Sequence, residues 1–291
     1  MPVNKCNLFF IVGSYRSGTT LLRNILNLHE DVAVVPEMHF FDNLIANRKK
    51  YGDIKKRKNK VELVDNIFFK IKNFNISRGD YWENINLDHK LLKSKMLDCT
   101  DLRELFFVLA SSLSSKNSFS VLIEKTPYNV FFLEQITELF PEAGIIHIIR
   151  DGREVCASAC KRWGLDYLGP ATRWKDSIKS YEKYNKKNKD KKEKFIEIRY
   201  EDLVDEPKNT INKIFKFINL GLNESFFERM SDLPSTSSFT RYKKNFGLYK
   251  SNNFKKFFSD SEQDIINYLL YEELKKKNIR PKQPRFIFLK R

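Results

Sequence analysis

Apolar residues in this chain occur as short unbroken runs that alternate with longer stretches of helical spacing. Leu8 to Val12 is the first run, and from Leu21 onward Leu21, Leu22, Ile25, Leu26 and Leu28 recur at a helical period. Gly13 to Thr20 lie between them, small and polar apart from Tyr15 and the cation Arg16. The pattern predicts strand, glycine-containing loop, helix. Further strands are expected at Asp31–Pro36, Val121–Ile123, Gly144–Ile149 (apolar but for His147) and Phe195–Ile198. Helices are expected at Val130–Phe140, stopped by Pro141, then at Glu154–Arg162 and Arg173–Lys189. Another starts at Pro207 with Ile211, Ile214, Phe215 and Ile218 on its buried face, and the last spans Ser261–Lys277. Continuous apolar strands alternating with helices indicate a parallel sheet covered on both faces.

Residues 42–120 have a different texture, rich in Lys, Asn and Ser, with helical patterns at Val61–Phe74 and Leu102–Leu113. They read as a mostly helical insertion, the place where an α/β scaffold carries acceptor specificity. Residues 235–253 lack periodicity and read as a loop, and no internal repeat is present. The expected architecture is one α/β domain over residues 1–291: a P-loop-like parallel sheet flanked by helices. Its nucleotide-binding core would lie at 8–41 and 121–218, with the insertion on the acceptor side and a C-terminal loop and helix at 235–291.

Composition narrows this picture little. Hydrophobic residues make up 41% of the 291, ample for a packed core. The formal net charge of +16 comes largely from lysine runs at Lys55–Lys60 and Lys186–Lys194, read as solvated faces or as a field that attracts polyanions. No recognition motif interleaves those lysines with aromatics, so nucleic acid is not an expected partner. No stretch approaches the roughly 20 apolar residues of a membrane span. The N-terminal run stops at Val12 without a signal-peptide core, which suggests a cytoplasmic chain. Cys6, Cys99, Cys156 and Cys160 form no C-x-x-C pair and read as thiols; with four histidines and no zinc spacing, no metal site is expected.

The first loop resembles a Walker loop, G-x-x-x-x-G-K-[ST], but departs from it. Gly13, Gly18 and Thr20 match, while Thr19 occupies the lysine position and the cation is Arg16 instead. Such a loop can cradle a phosphate with backbone N–H groups and a helix N-terminus, or simply start a helix. Two more polar clusters fall at strand ends, Lys125-Thr126-Pro127 and Arg150-Asp151-Gly152-Arg153. Ligands of parallel α/β sheets bind outside the carboxyl ends of the strands. Two cationic loops there suit a doubly phosphorylated ligand.

These segments together resemble the sulfotransferases that use PAPS (3′-phosphoadenosine 5′-phosphosulfate). RSGTTLLR at 16–23 resembles the family's 5′-phosphosulfate loop, and IIHIIRDGREVCASACKR at 145–162 its 3′-phosphate motif. Lys125-Thr126-Pro127 and Arg199-Tyr200-Glu201-Asp202-Leu203 also fit. The resemblance runs over 8–41 and 121–218. It is closest to tyrosylprotein sulfotransferases and bacterial relatives, and Glu37-Met38-His39-Phe40-Phe41-Asp42 is similar to a stretch of the heparan sulfate 3-O-sulfotransferases.

The resemblance implies a site and a reaction: sulfuryl transfer from PAPS, leaving PAP, to a hydroxyl or amine. Glu37, 21 residues after Arg16, would be the general base; otherwise it is a surface carboxylate or a helix-start residue. Arg16 would stabilise charge on the bridging oxygen, with Ser17, Gly18, Thr19 and Thr20 at the 5′-phosphate. Lys125 is a second cation near the sulfuryl group or the acceptor, or a surface lysine. Arg150 and Ser158 would bind the 3′-phosphate, and Lys243 and Lys244 would lie over it. Tyr200 would contact the adenine or belong to the core, and His39 would support Glu37 or line the acceptor site. His29 and His147 read as structural and Arg153 as an ion-pair residue. The acceptor, whether carbohydrate, peptide, lipid or small metabolite, and the oligomeric state cannot be read from the chain. Rival readings are a P-loop-type small-molecule kinase and a non-catalytic nucleotide-binding module.

Overall fold

The computed structural model describes residues 6–35, 37–44, 52–78, 88–231, 233 and 253–279. Lys243, Lys244 and the loop expected at 235–253, all but Asn253, lie outside them. Five strands form one sheet: β1 (Asn7–Gly13), β2 (Val32–Val35), β3 (Val121–Lys125), β4 (Gly144–Ile149) and β5 (Phe195–Arg199). Their order is β2-β3-β1-β4-β5 and every pairing is parallel. All strand ends therefore point one way. β1 sits at the centre, so the loop after it opens between the ends of β3 and β4.

The helices are α1 (Thr19–Leu26), α2 (Phe40–Leu44), α3 (Arg57–Arg78), α4 (His89–Asp98), α5 (Leu102–Ser112), α6 (Leu133–Leu139), α7 (Gly152–Trp163), α8 (Leu168–Lys187), α9 (Tyr200–Asp205), α10 (Pro207–Phe217), α11 (Glu224–Ser231), α12 (Asn253–Phe257) and α13 (Asp260–Lys276). The strand alternation explains the unbroken apolar runs. Phe10, Val12, Ala33, Val35, Leu122 and Ile145 pack to one face with α2, α3, α4, α5 and the buried side of α8. Phe9, Ile11, Val34, Ile123, Ile146 and Ile148 pack to the other with α1, α10 and α11. A third cluster, centred on Trp174, joins α7, α8, α12 and α13.

Several boundaries differ from the periodicity. The helix expected from Val130 is a 3-10 turn at Pro127–Phe131 followed by α6, which begins only at Leu133. The helix expected from Arg173 begins at Leu168, one turn earlier. The expected insertion contains an additional helix, α4, capped by the Asp88 side chain accepting from the Leu91 N–H at 3.0 Å. Its helices α3, α4 and α5 lie on the face that also buries α2, so they flank the segment that carries Glu37.

Candidate active site

Four strand ends supply the site. After β1 the chain turns through Ser14–Ser17 into α1, whose N-cap is Gly18. Gly18 has φ 96°, and a Cβ there would come within 2.3 Å of the Tyr200 ring. Only glycine meets both conditions. Arg16 adopts a left-handed φ of 64°, a cost of roughly 1–2 kcal/mol for a residue with a Cβ. His39 does the same at φ 51°. The other left-handed non-glycine residues among those described are Asn219 and Asn278, a residue type that tolerates the region. Backbone strain at residues other than asparagine thus falls on the two segments that carry candidate site side chains.

The two cationic motifs touch. Arg150, 7% exposed at the end of β4, donates from Nη1 to the Arg16 carbonyl at 3.1 Å. Arg16 Nε donates to Ser158 Oγ, two turns into α7, at 3.0 Å. The Arg150 guanidinium also lies over the Tyr200 ring, 4.4 Å from its centroid, and 3.7 Å from Glu154 Oε2. Tyr200 is thus a buried core ring that supports both Gly18 and Arg150. The Trp174 indole N–H donates to the Arg150 carbonyl at 2.9 Å and fixes the strand end. Arg153 is an ion-pair residue, forked onto Asp151 with contacts of 2.6 to 3.2 Å.

The loop offers donors to a phosphate. No side chain caps the N-terminus of α1. The Ser14 and Ser17 hydroxyls are buried and have no hydrogen-bond partner among the described residues. Buried hydroxyls of this kind cost stability unless something accepts from them. Thr19 is buried at the first turn, while Thr20 is exposed. An anion of phosphate size fits this donor set of hydroxyls, backbone N–H groups and the Arg16 guanidinium.

On the other side of β1, Lys125 ends β3 in register with Ile11. It is 3% exposed, which removes the surface-lysine reading, and its Nζ donates to Glu37 Oε1 at 2.6 Å. The Glu37 side chain is 11% exposed, so the surface-carboxylate reading fails as well. Met38, Phe40 and Phe41 anchor the segment in the core; the Phe41 ring lies 5.9 Å from Phe10 and that of Phe40 5.2 Å from Phe106. Glu37 and His39 are left facing the strand ends. His39 Nε2 lies 3.5 Å from Glu37 Oε2 and Nδ1 lies 2.9 Å from Asp42 Oδ2. Burial alone would lower the His39 pKa, but hydrogen bonds to Asp42 and Glu37 and their charges raise it to about 9. His39 is therefore an imidazolium at neutral pH, its charge 3.5 Å from Glu37 Oε2.

Other expectations fall outside the site. His147 is buried on β4, stacked on Tyr181 at 3.8 Å and hydrogen-bonded to Glu197 at 3.0 Å. His29 packs against Phe215, 5.2 Å between ring centroids. All four cysteines are free thiols. The sequence reading missed Asp42, legible as a carboxylate three residues after His39, and Glu124, legible as a carboxylate between the apolar run VLI and Lys125. It also missed Trp163 and Tyr15, whose rings meet at 5.0 Å beside Arg16; no spacing signal marks them. Among the described residues no group of three or more His, Cys, Asp or Glu could hold a metal ion, and no helix is long and apolar enough to cross a membrane.

Residues 9–224 match the model of the sulfotransferase family. The chain is 25% identical over 225 residues to protein-tyrosine sulfotransferase 1 of Danio rerio, which covers 75% of this chain and 54% of that protein. It is 24% identical over 225 residues to the protein-tyrosine sulfotransferase of Drosophila melanogaster, covering 75% and 39%. The chain thus spans about half or less of the length of these curated relatives. Among solved structures it is similar to the sulfotransferase domain from the curacin biosynthetic pathway, with a TM-score of 0.55, 18% identity and coverage of 92% and 97%. Sulfotransferase STF9 from Mycobacterium avium gives 0.56, 13%, 96% and 79%. Mouse sulfotransferase SULT7A1, solved with PAP, gives 0.50, 10%, 94% and 85%.

Proposed function

The chain belongs to the sulfotransferase family, and on that premise we propose that it moves the sulfuryl group of PAPS to a hydroxyl or amine acceptor by in-line displacement. The observation that carries the reading is the meeting of two motifs at one place. Arg16 donates to Ser158, and Arg150 donates to the Arg16 carbonyl. Cations far apart in sequence are thereby close enough to hold the two phosphate-bearing ends of one nucleotide. The PAP-bound mouse enzyme of similar fold supports the same ligand class.

PAPS supplies the sulfuryl group and leaves as PAP. Ser14, Ser17, the first N–H groups of α1 and the Thr19 and Thr20 hydroxyls hold the 5′-phosphate. Arg150 and Ser158 hold the 3′-phosphate, with Tyr200 backing Arg150. Glu37 takes the acceptor proton as the new oxygen–sulfur or nitrogen–sulfur bond forms. The bond from sulfur to the bridging oxygen breaks, and its electron pair stays on the phosphate. Arg16 faces that developing charge. Proton transfer neutralises Glu37, so Lys125 loses its counter-ion at the moment negative charge grows at the sulfuryl group. His39, held cationic by Asp42, keeps Glu37 oriented.

The insertion at 42–120 is the acceptor side in this reading, since its helices flank the Glu37 segment. The protein-tyrosine sulfotransferase relatives make tyrosyl peptides the first acceptors to try, ahead of carbohydrates, lipids and small metabolites. Four free thiols suit a reducing, cytoplasmic setting. The test is transfer from labelled PAPS and from labelled ATP to an acceptor panel, with and without EDTA. Transfer from PAPS that survives EDTA is expected. EDTA-sensitive transfer from ATP alone would favour the kinase reading. PAP binding with no transfer to any acceptor would favour a binding module.

A further inference from the structure

Glu124 stands next to Lys125 on β3 and is 1% exposed. Its neighbours across the sheet are Phe10 and Val35, both apolar. The carboxylate is nevertheless well supplied with donors. The Thr126 hydroxyl and the Met38 N–H, at 3.2 Å, donate to Oε1. Asn129 Nδ2 donates to Oε2 at 2.7 Å. The Thr126 oxygen in turn accepts from the His39 N–H at 3.5 Å. The two backbone N–H groups that follow Glu37 are therefore both tied to the end of β3, one directly and one through Thr126.

We propose that Glu124 is a positioning residue of the site: its carboxyl Oε1, accepting from Met38 and Thr126, fastens residues 38 and 39 to β3 and so sets the Glu37–Lys125 pair. This rests on the reading that Glu37 and Lys125 serve the transfer. The left-handed backbone of His39 needs such a restraint, because a strained φ persists only where its surroundings over-determine it. The charged groups facing Glu124 are Lys125 from its own strand and His39 from the fastened segment, with Glu37 and Asp42 reached through them. β1 and β2 present only Phe10 and Val35, and the 3-10 turn presents Asn129. Burial pushes the Glu124 pKa up, hydrogen bonds from Thr126 and Met38 and the two cations pull it back, and the balance is about 7. Below that pH Oε2 can carry the proton while Oε1 still accepts from Thr126 and Met38.

The experiment combines amide NMR with kinetics and PAP calorimetry on Glu124→Ala, Glu124→Gln and Thr126→Val. Kinetics use the best acceptor of the panel and, independent of acceptor, hydrolysis of PAPS by water. The Met38 amide proton of the wild type should titrate near pH 7 and be flat in Glu124→Gln. Glu124→Ala should lower kcat by about 10- to 100-fold, the scale of a misplaced catalytic group, with the PAP Kd changed less than about threefold. Glu124→Gln should recover most of kcat, because its carbonyl accepts from Thr126 and Met38. Asn129, whose Oδ1 has no partner among the described residues, can turn its amide toward the new donor. Thr126→Val should lower kcat without weakening PAP, and it decides the matter should Glu124→Ala not fold. An unchanged kcat in Glu124→Ala or Thr126→Val, or a PAP Kd that rises in step with the loss of kcat, would overturn the proposal. A wild type that neither binds PAP nor transfers sulfuryl would instead sink the functional reading, while the Met38 titration would still report on the fastening.

Discussion

The most informative perturbation is Asp42→Asn, read out on His39. The His39 side chain is 20% exposed and sits between Asp42 at 2.9 Å and Glu37 at 3.5 Å. Its pKa rises from 6.5 to about 9, a preference for the imidazolium of roughly 3 kcal/mol. Burial opposes that preference, so the two carboxylates supply all of it and more. Removing the nearer one should bring the His39 pKa below about 8, and adding Glu37→Gln should take it below 6.5. The chain has only His29, His39, His89 and His147, so imidazole proton resonances can be followed singly by NMR. Burial lowers the His147 pKa, which places that resonance at the opposite end of the titration. The stability consequence has a definite sign. A pKa raised in the fold stabilises it fully below the unfolded value of 6.5, and that contribution vanishes as pH climbs through about 9. The Tm gap between wild type and Asp42→Asn should therefore be widest near pH 6 and close by about pH 10. A wild-type His39 titrating at or below 6.5, or a Tm gap that widens with pH, would refute the reasoning.

Other substitutions test the individual roles. Glu37→Gln should reduce turnover by at least about 100-fold, the usual scale for losing a general base, while calorimetry finds the PAP Kd within about twofold. Arg16→Ala should cut kcat more than PAP affinity, since its charge serves the leaving oxygen; equal losses in both would assign it to binding alone. Arg150→Ala should weaken PAP at least about tenfold by removing a charge-assisted contact, and an unchanged Kd would remove Arg150 from the 3′-phosphate end. Gly18→Ala should destabilise the fold by about 2 kcal/mol or more in denaturant unfolding, through its left-handed φ and the clash with Tyr200; trimming the ring with Tyr200→Ala should relieve only the clash.

Much of the fold was legible because both faces of the sheet are covered. Runs such as Leu8–Val12 and Gly144–Ile149 have no polar face to blur them, and each ends in a polar cluster that marks the ligand edge. Helix starts were less legible. Leu168 to Thr172 belongs to α8 but contains Gly169 and Pro170, which hide the first turn. In the site, the loop residues Arg16, Gly18 and Arg150 carry their spacing openly. The burial of Lys125 does not show in sequence, because it follows from the central position of β1 and β3 and from its partner Glu37, 88 residues away. Glu124, Thr126 and Asn129 already meet locally, but their bonds to the Met38 and His39 N–H groups exist only once residues 38 and 39 are brought to the strand end. Strand order, rather than local pattern, creates that juxtaposition.

The central claim is that the loops after β1 and β4 form one receptor for a 3′,5′-bisphosphorylated adenosine. Titration calorimetry with PAP, 5′-AMP and ATP on the full chain tests it most directly. Saturable PAP binding, at least about tenfold tighter than either competitor and weakened by Arg150→Ala, is the predicted result. No binding heat with PAP, or equal affinity for ATP, would contradict it.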